Sequence, residues 1–166
     1  MLKNAHTPEN VLEVFLQPGD WYWGDKETRI RTILGSCISI CVWHPKLLEG
    51  GMCHYMLPSR GQRAVNQPLS GKYGDEAFEL FLKEMKKNNT KPSEYQTKIF
   101  GGAILMQTKD DANSIGMKNV EMARTLQNKY NLNVISEHLG GNVSRRLFFE
   151  IWTGDVWMKK MDIGDE

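Results

Sequence analysis

The segment TILGSCISICVWHPKLLEGGMCHYMLP, residues 32–58, contains all three cysteines of the chain and two of its four histidines. Its apolar stretches CISICVW and GGMCHYML are separated by HPKLLEGG, which has turn residues at both ends. The pattern predicts two strands joined as an antiparallel hairpin. In such a hairpin Cys37 and His54 lie opposite or diagonal to each other and share a face, whereas Cys53 points to the other face.

Three roles are open for these side chains. Zinc would need about four ligands in a tetrahedron, and Cys37, Cys41, Cys53 and His54 offer suitable atoms, but neighbouring residues of one strand diverge. Buried thiols explain Cys41 and Cys53 most simply, because a free cysteine packs as a small hydrophobic side chain. Cys37 follows a Gly-Ser turn at the start of a strand. For Cys37 and His54, core packing and a nucleophile with its base both stay open.

Composition limits the setting in which this chain works. A chain of 166 residues with 40% apolar and 25% charged residues predicts a single globular domain over 1–166. A net charge of +1 gives no reason to expect a nucleic-acid partner. No apolar run is long enough for membrane insertion or a signal peptide, and three clustered cysteines do not make a disulfide framework, so we expect a cytoplasmic protein with free thiols. The glycine pairs at 101–102 and 140–141 lack nucleotide-binding motifs, and no cofactor is expected.

The rest of the chain alternates strand and helix patterns. The helix predicted at Gly74–Lys87 has Asp75 as a candidate N-cap, and the one predicted at 115–130 follows the candidate N-cap Ser114. The aromatic patch Trp21-Tyr22-Trp23 is consistent with either a docking surface or core packing. Strands are predicted at VLEVFLQ, TRIRTIL, YQTKIFGGAILM and LNVISEHL, with a final hairpin in RRLFFEIWTGDVWMKKM. We therefore expect an α+β fold with a mixed, largely antiparallel sheet, two main helices and one β–α–β crossover.

Six motifs in a fixed order, spanning about residues 30–160, resemble the CheD family of bacterial chemoreceptor glutamine deamidases. They are TILGSC, GGMCHYMLP, YGDEAFELFL, KIFGGAILM, IGMKNVE and GGNVSRRLFFEIWTGDVWMKKM. The resemblance implies a layered α/β sandwich and a cysteine hydrolase that converts particular glutamines of methyl-accepting chemotaxis receptors to glutamates. It also implies that the chain could bind a CheC-type phosphatase.

Position by position, the resemblance places the family's nucleophile on Cys37 and its histidine on His54. Thr32 is the nearest match for the family's threonine, although a strict spacing would fall on Arg31. Such chemistry needs a thiolate, and we expect His54 to stabilise the Cys37 thiolate as an ion pair and then to protonate the leaving nitrogen. Thr32 would orient the imidazole. Backbone N–H groups of the Gly35-Ser36-Cys37 turn are the expected donors to the oxyanion, with Ser36 itself a turn residue.

Two classes of function stay open at this point. The first is an enzyme that deamidates receptor glutamines, with possible side activity on receptor methyl esters because both reactions are acyl transfers. The alternative is a non-catalytic adaptor that binds receptors or a phosphatase. The intact pair of Cys37 and His54 favours the enzyme, since a protein that only binds has no need of it.

Overall fold

Nine strands and two α-helices occupy the part of the chain that the computed structural model describes, residues 7–104 and 114–161. The helices are α1 (Gly74–Lys87) and α2 (Ile115–Tyr130), and a short 3-10 helix covers Pro92–Glu94. The strands are β1 (Leu12–Phe15), β2 (Trp21–Gly24), β3 (Thr28–Leu34), β4 (Ile38–His44), β5 (Glu49–Cys53), β6 (Gln96–Gly101), β7 (Asn133–Leu139), β8 (Ser144–Glu150) and β9 (Asp155–Met161).

The strands divide into two mixed sheets. The outer sheet has the order β1-β3-β8-β9, and the central sheet has the order β2-β5-β4-β6-β7. Within them β1 pairs with β3 and β6 pairs with β7 in parallel, while the other neighbours are antiparallel. Helix α2 connects β6 to β7, which is the predicted β–α–β crossover. The expected α+β class is confirmed, and the division into two sheets is a feature that the strand patterns did not reveal.

The central sheet has a buried face on each side, so the layers run from the helices through the central sheet to the outer sheet. Alternation along β4 shows this directly, because successive side chains of a strand point to opposite faces. Ile38, Ile40 and Val42 lie in the core beneath α1 and α2, which we call the helix-side core. Cys41 and Trp43 lie in the core shared with the outer sheet, which we call the inter-sheet core.

The aromatic patch forms β2 at the edge of the central sheet. The rings of Trp21 and Trp23 pack on Phe81 of α1, with centroids 6.3 and 5.8 Å apart. Both tryptophans are partly buried against the helix-side core. Core packing is therefore their role in the fold.

The helix boundaries follow the sequence closely, but one predicted cap is wrong. Helix α1 begins at Gly74 after Tyr73, which makes no side-chain cap; Asp75 lies inside the first turn and accepts a hydrogen bond from Ser59 Oγ at 2.7 Å. Ser114 does cap α2, because its Oγ accepts from Met117 N–H at 3.2 Å. Strand β6 ends at Gly101, and residues 105–106 of the predicted strand lie outside the described residues.

Candidate active site

The hairpin of β4 and β5 fixes the relation between Cys37 and His54. Its register pairs Cys41 with Met52 and, further along, Ile38 with Tyr55. Cys37 is then opposite Met56 and diagonal to His54, two residues away on the same face. Diagonal neighbours in an antiparallel pair are about 7–8 Å apart, within reach of an imidazole ring.

The three cysteines are distributed over the two faces as the alternation predicts. Cys37 and Cys41 belong to the inter-sheet core, and Cys53 belongs to the helix-side core. Its Sγ accepts a hydrogen bond from Ile40 N–H at 3.4 Å. Cys53 and His54 therefore diverge, and the described residues include no cluster of three His, Cys, Asp or Glu side chains able to hold a metal ion.

Thr32 reaches His54 from the other sheet. Inward residues of β3 alternate, so Thr32 lies between Ile30 and Leu34 in the inter-sheet core and is fully buried. Its Oγ1 lies 2.7 Å from His54 Nδ1 and donates to the Leu16 carbonyl at 2.8 Å. Arg31, the residue at the strict family spacing, instead forms a 2.7 Å ion pair with Glu13. The geometry therefore brings Thr32, rather than Arg31, to the imidazole.

These two contacts of Thr32 fix the tautomer of His54. A carbonyl oxygen can only accept, so the single hydroxyl proton of Thr32 must go to Leu16. The hydroxyl oxygen then accepts from His54 Nδ1–H, and the proton of the neutral ring is on Nδ1. Nε2 keeps its lone pair and is the ring nitrogen able to take a proton from a thiol.

A tight turn holds the backbone of His54. Its N–H donates to the Asp20 carbonyl at 3.0 Å, and its carbonyl accepts from Gly19 N–H at 2.8 Å. Burial lowers the pKa of His54 to about 4, and the nearby Asp20 carboxylate opposes that shift. The imidazole is therefore neutral at neutral pH.

Burial also raises the pKa of the Cys37 thiol, although Cys37 is the only one of the three cysteines that is not fully buried. The thiol and the imidazole, on the same face of the hairpin, are thus both neutral. The expected resting ion pair is therefore disfavoured, because desolvation acts against both charged forms and the Asp20 carboxylate opposes it only in part. Cys53, deeper in the fold, has a pKa raised to about 12.

The Gly35-Ser36-Cys37 turn crosses from the outer sheet to the central sheet. All three of its carbonyls accept hydrogen bonds, from Ala103 N–H (3.0 Å), Asn119 Nδ2 (3.0 Å) and Gly102 N–H (2.9 Å) in chain order. Its three N–H groups donate to no group in the described ranges. Donors without partners beside a candidate nucleophile are what an oxyanion site requires.

Gly101 allows β6 to approach this turn. It has φ +114°, and a Cβ built on it would lie 2.1 Å from the Cys37 carbonyl oxygen. Any side chain there would displace the turn. Of the two glycine pairs noted in the sequence, the pair 101–102 thus borders the site as a close backbone contact.

Comparison with known proteins agrees with this arrangement. A family model described as CheD chemotactic sensory transduction matches residues 56–160, more than half of the chain. The chain belongs to the CheD family. That match begins beyond Cys37 and His54, whereas the similarity to individual CheD-family proteins spans 91% of this chain in one case and must therefore cross both residues.

Several relatives show this similarity over nearly their whole length. A Dechloromonas aromatica protein named probable chemoreceptor glutamine deamidase CheD 3 is 47% identical over 152 residues, covering 91% of this chain and 89% of its own. The Leptospira interrogans CheD 1 of the same description is 41% identical, covering 92% and 95%. The Pseudomonas fluorescens CheD is 38% identical, covering 95% and 89%.

Two further histidines, His44 and His138, serve the fold of this CheD-family chain. His44 Nδ1 accepts from Lys46 and Leu47 N–H groups (3.2 and 3.1 Å), which closes the turn after β4. His138 Nδ1 accepts from Arg145 Nε at 2.7 Å, and Arg145 is buried. No helix in the described ranges is long and apolar enough to span a bilayer.

Sequence reasoning missed three residues that hold the site from positions outside the strands. Leu16 contributes only its carbonyl and Asp20 its backbone and charge, so neither has a distinguishing side-chain pattern. Asn119 lies in the IGMKNVE motif, and a buried amide on an otherwise apolar helix face was the available signal. It binds the turn that carries Cys37.

Proposed function

We propose that this chain is a chemoreceptor glutamine deamidase that converts specific receptor glutamines to glutamates through a thioester on Cys37. The observation that carries the proposal is the hydrogen bond between Thr32 Oγ1 and His54 Nδ1, which leaves Nε2 as a base on the face shared with Cys37. Family membership and the names of the relatives support the same reaction and substrate class. The geometry supports the roles proposed below for individual residues.

In the first half of the reaction, His54 Nε2 takes the thiol proton as Cys37 Sγ attacks the side-chain carbonyl carbon of glutamine. The tetrahedral oxyanion accepts from N–H groups of the Gly35-Ser36-Cys37 turn. The imidazolium then returns its proton to the amide nitrogen, the C–N bond breaks, and ammonia leaves a thioester on Cys37.

In the second half, water attacks the thioester carbonyl and gives a proton to His54 Nε2. The C–S bond breaks, the sulfur recovers a proton from the imidazolium, and the product is a glutamate side chain. The reaction needs no oxidant or reductant. Thr32 holds the ring in one tautomer through both halves, which is the positioning role of the third residue in such triads.

A neutral resting pair suits this sequence of steps. A thiol of raised pKa gives a more nucleophilic sulfur once its proton moves. The imidazolium that forms is transient, and both the Thr32 hydroxyl oxygen and the Asp20 carboxylate favour it. The charge separation therefore arises during attack, when the substrate has excluded water.

The wider setting follows from this function. A protein that modifies receptor glutamines works in the cytoplasm, and the two cores, which share the central sheet, support a single domain over residues 1–166. Binding to a CheC-type phosphatase and hydrolysis of receptor methyl esters are further proposals that rest on the family and on shared acyl chemistry. Titration with a purified CheC-type protein and a methanol-release assay test them separately.

Mass spectrometry of a purified chemoreceptor fragment after incubation with the protein tests the main proposal. We expect conversion of particular glutamines to glutamates with the wild type and no conversion with Cys37→Ala. Cys41→Ala is the matched control, because it removes a buried thiol from the same core and should retain activity. Receptor binding without conversion by the wild type would favour the adaptor instead, and conversion by Cys37→Ala would refute the assignment of the nucleophile.

A further inference from the structure

The backbone ladder between β4 and β5 stops beside Cys37. Its last rung joins Ile38 and Tyr55, which exchange two hydrogen bonds of 3.1 and 2.9 Å. In an antiparallel pair such rungs recur every second residue, so the next would join Ser36 and Leu57. Leu57 N–H instead donates to the Lys72 carbonyl at 3.1 Å. The two chains therefore separate where the candidate nucleophile begins its strand.

The side chain of Asn119 takes the place of the missing rung. Its Nδ2 donates to the Ser36 carbonyl at 3.0 Å and to the Met56 carbonyl at 2.9 Å, one on each of the separating chains. The Tyr55 hydroxyl donates to the Asn119 backbone carbonyl at 2.5 Å, a contact with the helix backbone and not with the side-chain amide. Asn119 has no exposed surface, so these contacts do not compete with solvent.

Close packing of α2 brings Asn119 to this position. Gly116, three residues earlier on the same helix face, lies so near the end of β6 that an added Cβ would be 2.4 Å from the Ala103 carbonyl oxygen. An added Cβ on Gly102 would likewise be 2.4 Å from Val120. Two glycines thus allow the helix to approach the Cys37 turn, and the amide reaches it from there.

Stability alone does not account for this amide. Asn119 Oδ1 is buried and has no hydrogen-bond partner among the described residues. An unpaired buried acceptor is destabilising, because it has lost its hydrogen bonds to water and gained none in the fold. A side chain that binds two backbone carbonyls but leaves its own oxygen unpaired is better explained by a role in the site than by core packing.

We propose that Asn119 is a positioning residue for the oxyanion site, an inference that rests on the proposed function. In a continued ladder the Ser36 N–H would donate to Leu57. By holding the Ser36 and Met56 carbonyls apart, Asn119 keeps that N–H free beside those of Gly35 and Cys37. The residue itself touches neither substrate nor sulfur and acts through the turn.

The test compares two reactions of the same sulfur. Glutamine turnover passes through an oxyanion, and removal of one oxyanion donor typically lowers kcat by about 10²–10³-fold. Alkylation of Cys37 by iodoacetamide is a displacement at carbon that forms no oxyanion. We expect Asn119→Ala to lower kcat about 10²-fold with KM changed by less than about threefold, and to change the alkylation rate by less than about threefold.

Three further variants separate positioning from folding. Asn119→Asp keeps the shape but lacks the donors and should lose kcat as Asn119→Ala does. Asn119→Ser keeps one short donor and should be intermediate; it also serves if the Ala variant does not fold. Tyr55→Phe removes the other hydrogen bond to Asn119 without touching Ser36 or Met56, and its kcat should stay within about threefold of the wild type.

Cys37→Ala, assayed in parallel, distinguishes a failure of the proposed function from a failure of the positioning role of Asn119. Conversion by Cys37→Ala refutes the proposed function itself. If Cys37→Ala is inactive while a folded Asn119→Ala or Asn119→Ser keeps wild-type kcat, the positioning role alone is overturned. It is also overturned if kcat, alkylation rate and melting temperature fall together in the Asn119 variants, because that pattern describes a structural residue. Loss of kcat alone supports it.

Discussion

The two faces of the central sheet have different roles. Toward the helices the face is mainly apolar, with Ile38, Ile40, Val42 and Cys53 fully buried. Toward the outer sheet the same strands contribute the buried side chains of Cys41 and Met52. At one end of this face the polar side chains of the site replace the apolar ones. Adjacent residues of one strand thus have unlike roles.

The difference shows where this fold can hold a buried polar site. The helix-side core is closed by α1 and α2 and has aromatic rings packed through it. The inter-sheet core ends at the turn that crosses between the sheets, and there Thr32 and His54 are buried with their polar atoms paired to each other. A buried imidazole with a depressed pKa lowers stability at acid pH, which is a common property of functional sites.

The sharpest test of this contrast substitutes neighbours that point to opposite faces. His54→Gln should lower kcat/KM for receptor deamidation by about 10²–10⁴-fold, or about 3–5 kcal/mol, because it removes the general base. Cys53→Ala should keep kcat/KM within about twofold and reduce the free energy of unfolding by about 1 kcal/mol through a small cavity. Steady-state assays and urea denaturation measure the two quantities. Equal losses of activity would show that the faces are not functionally distinct.

The second test uses pH. His54 has an ordinary pKa of about 6.5 when unfolded and about 4 in the fold, so between these values the unfolded chain binds more protons. Stability is therefore full above pH 6.5 and falls by about 3 kcal/mol as the pH drops to about 4, below which the slope disappears. His54→Gln should lack this slope, and His138→Gln, at a histidine that is only partly buried, should keep most of it. The midpoints of urea denaturation, measured for each variant between pH 4 and 7, test both expectations.

The sequence predicted much of this site because it is built on local patterns. The hairpin turn and period-two alternation placed Cys37 and His54 on one face and Cys53 on the other, and the helix bounds followed from apolar spacing and the Ser114 cap. The assignment of Thr32 to the site came from the family resemblance. That Thr32 lies on a different sheet could not be predicted, since the β3–β8 pairing joins residues more than a hundred positions apart. Asn119 also acts between residues far apart in sequence, since it binds Ser36, 83 positions away.

The third prediction compares two fully buried threonines. Thr32→Val leaves His54 Nδ1–H and the Leu16 carbonyl without their partner and should lower kcat by about 10–100-fold and the free energy of unfolding by about 1–3 kcal/mol. Thr97 Oγ1, on the face toward the helices, is buried with no partner in the described residues. Thr97→Val should therefore leave kcat unchanged and stability unchanged or higher. A wild-type kcat in Thr32→Val would mean that His54 needs no orienting hydroxyl.

The smallest expected effect distinguishes a neutral pair from an ion pair. Because burial raises the pKa of Cys37, less thiolate is present at pH 7.5 than in a free thiol, and iodoacetamide should label Cys37 a few-fold more slowly than a small-molecule thiol. The rate should rise about tenfold per pH unit up to pH 8.5 and should change by less than about threefold in His54→Gln. An ion pair would instead give fast labelling at neutral pH that is nearly independent of pH and collapses in His54→Gln. Cys41 and Cys53, fully buried on their two faces, should label more slowly than Cys37 at every pH.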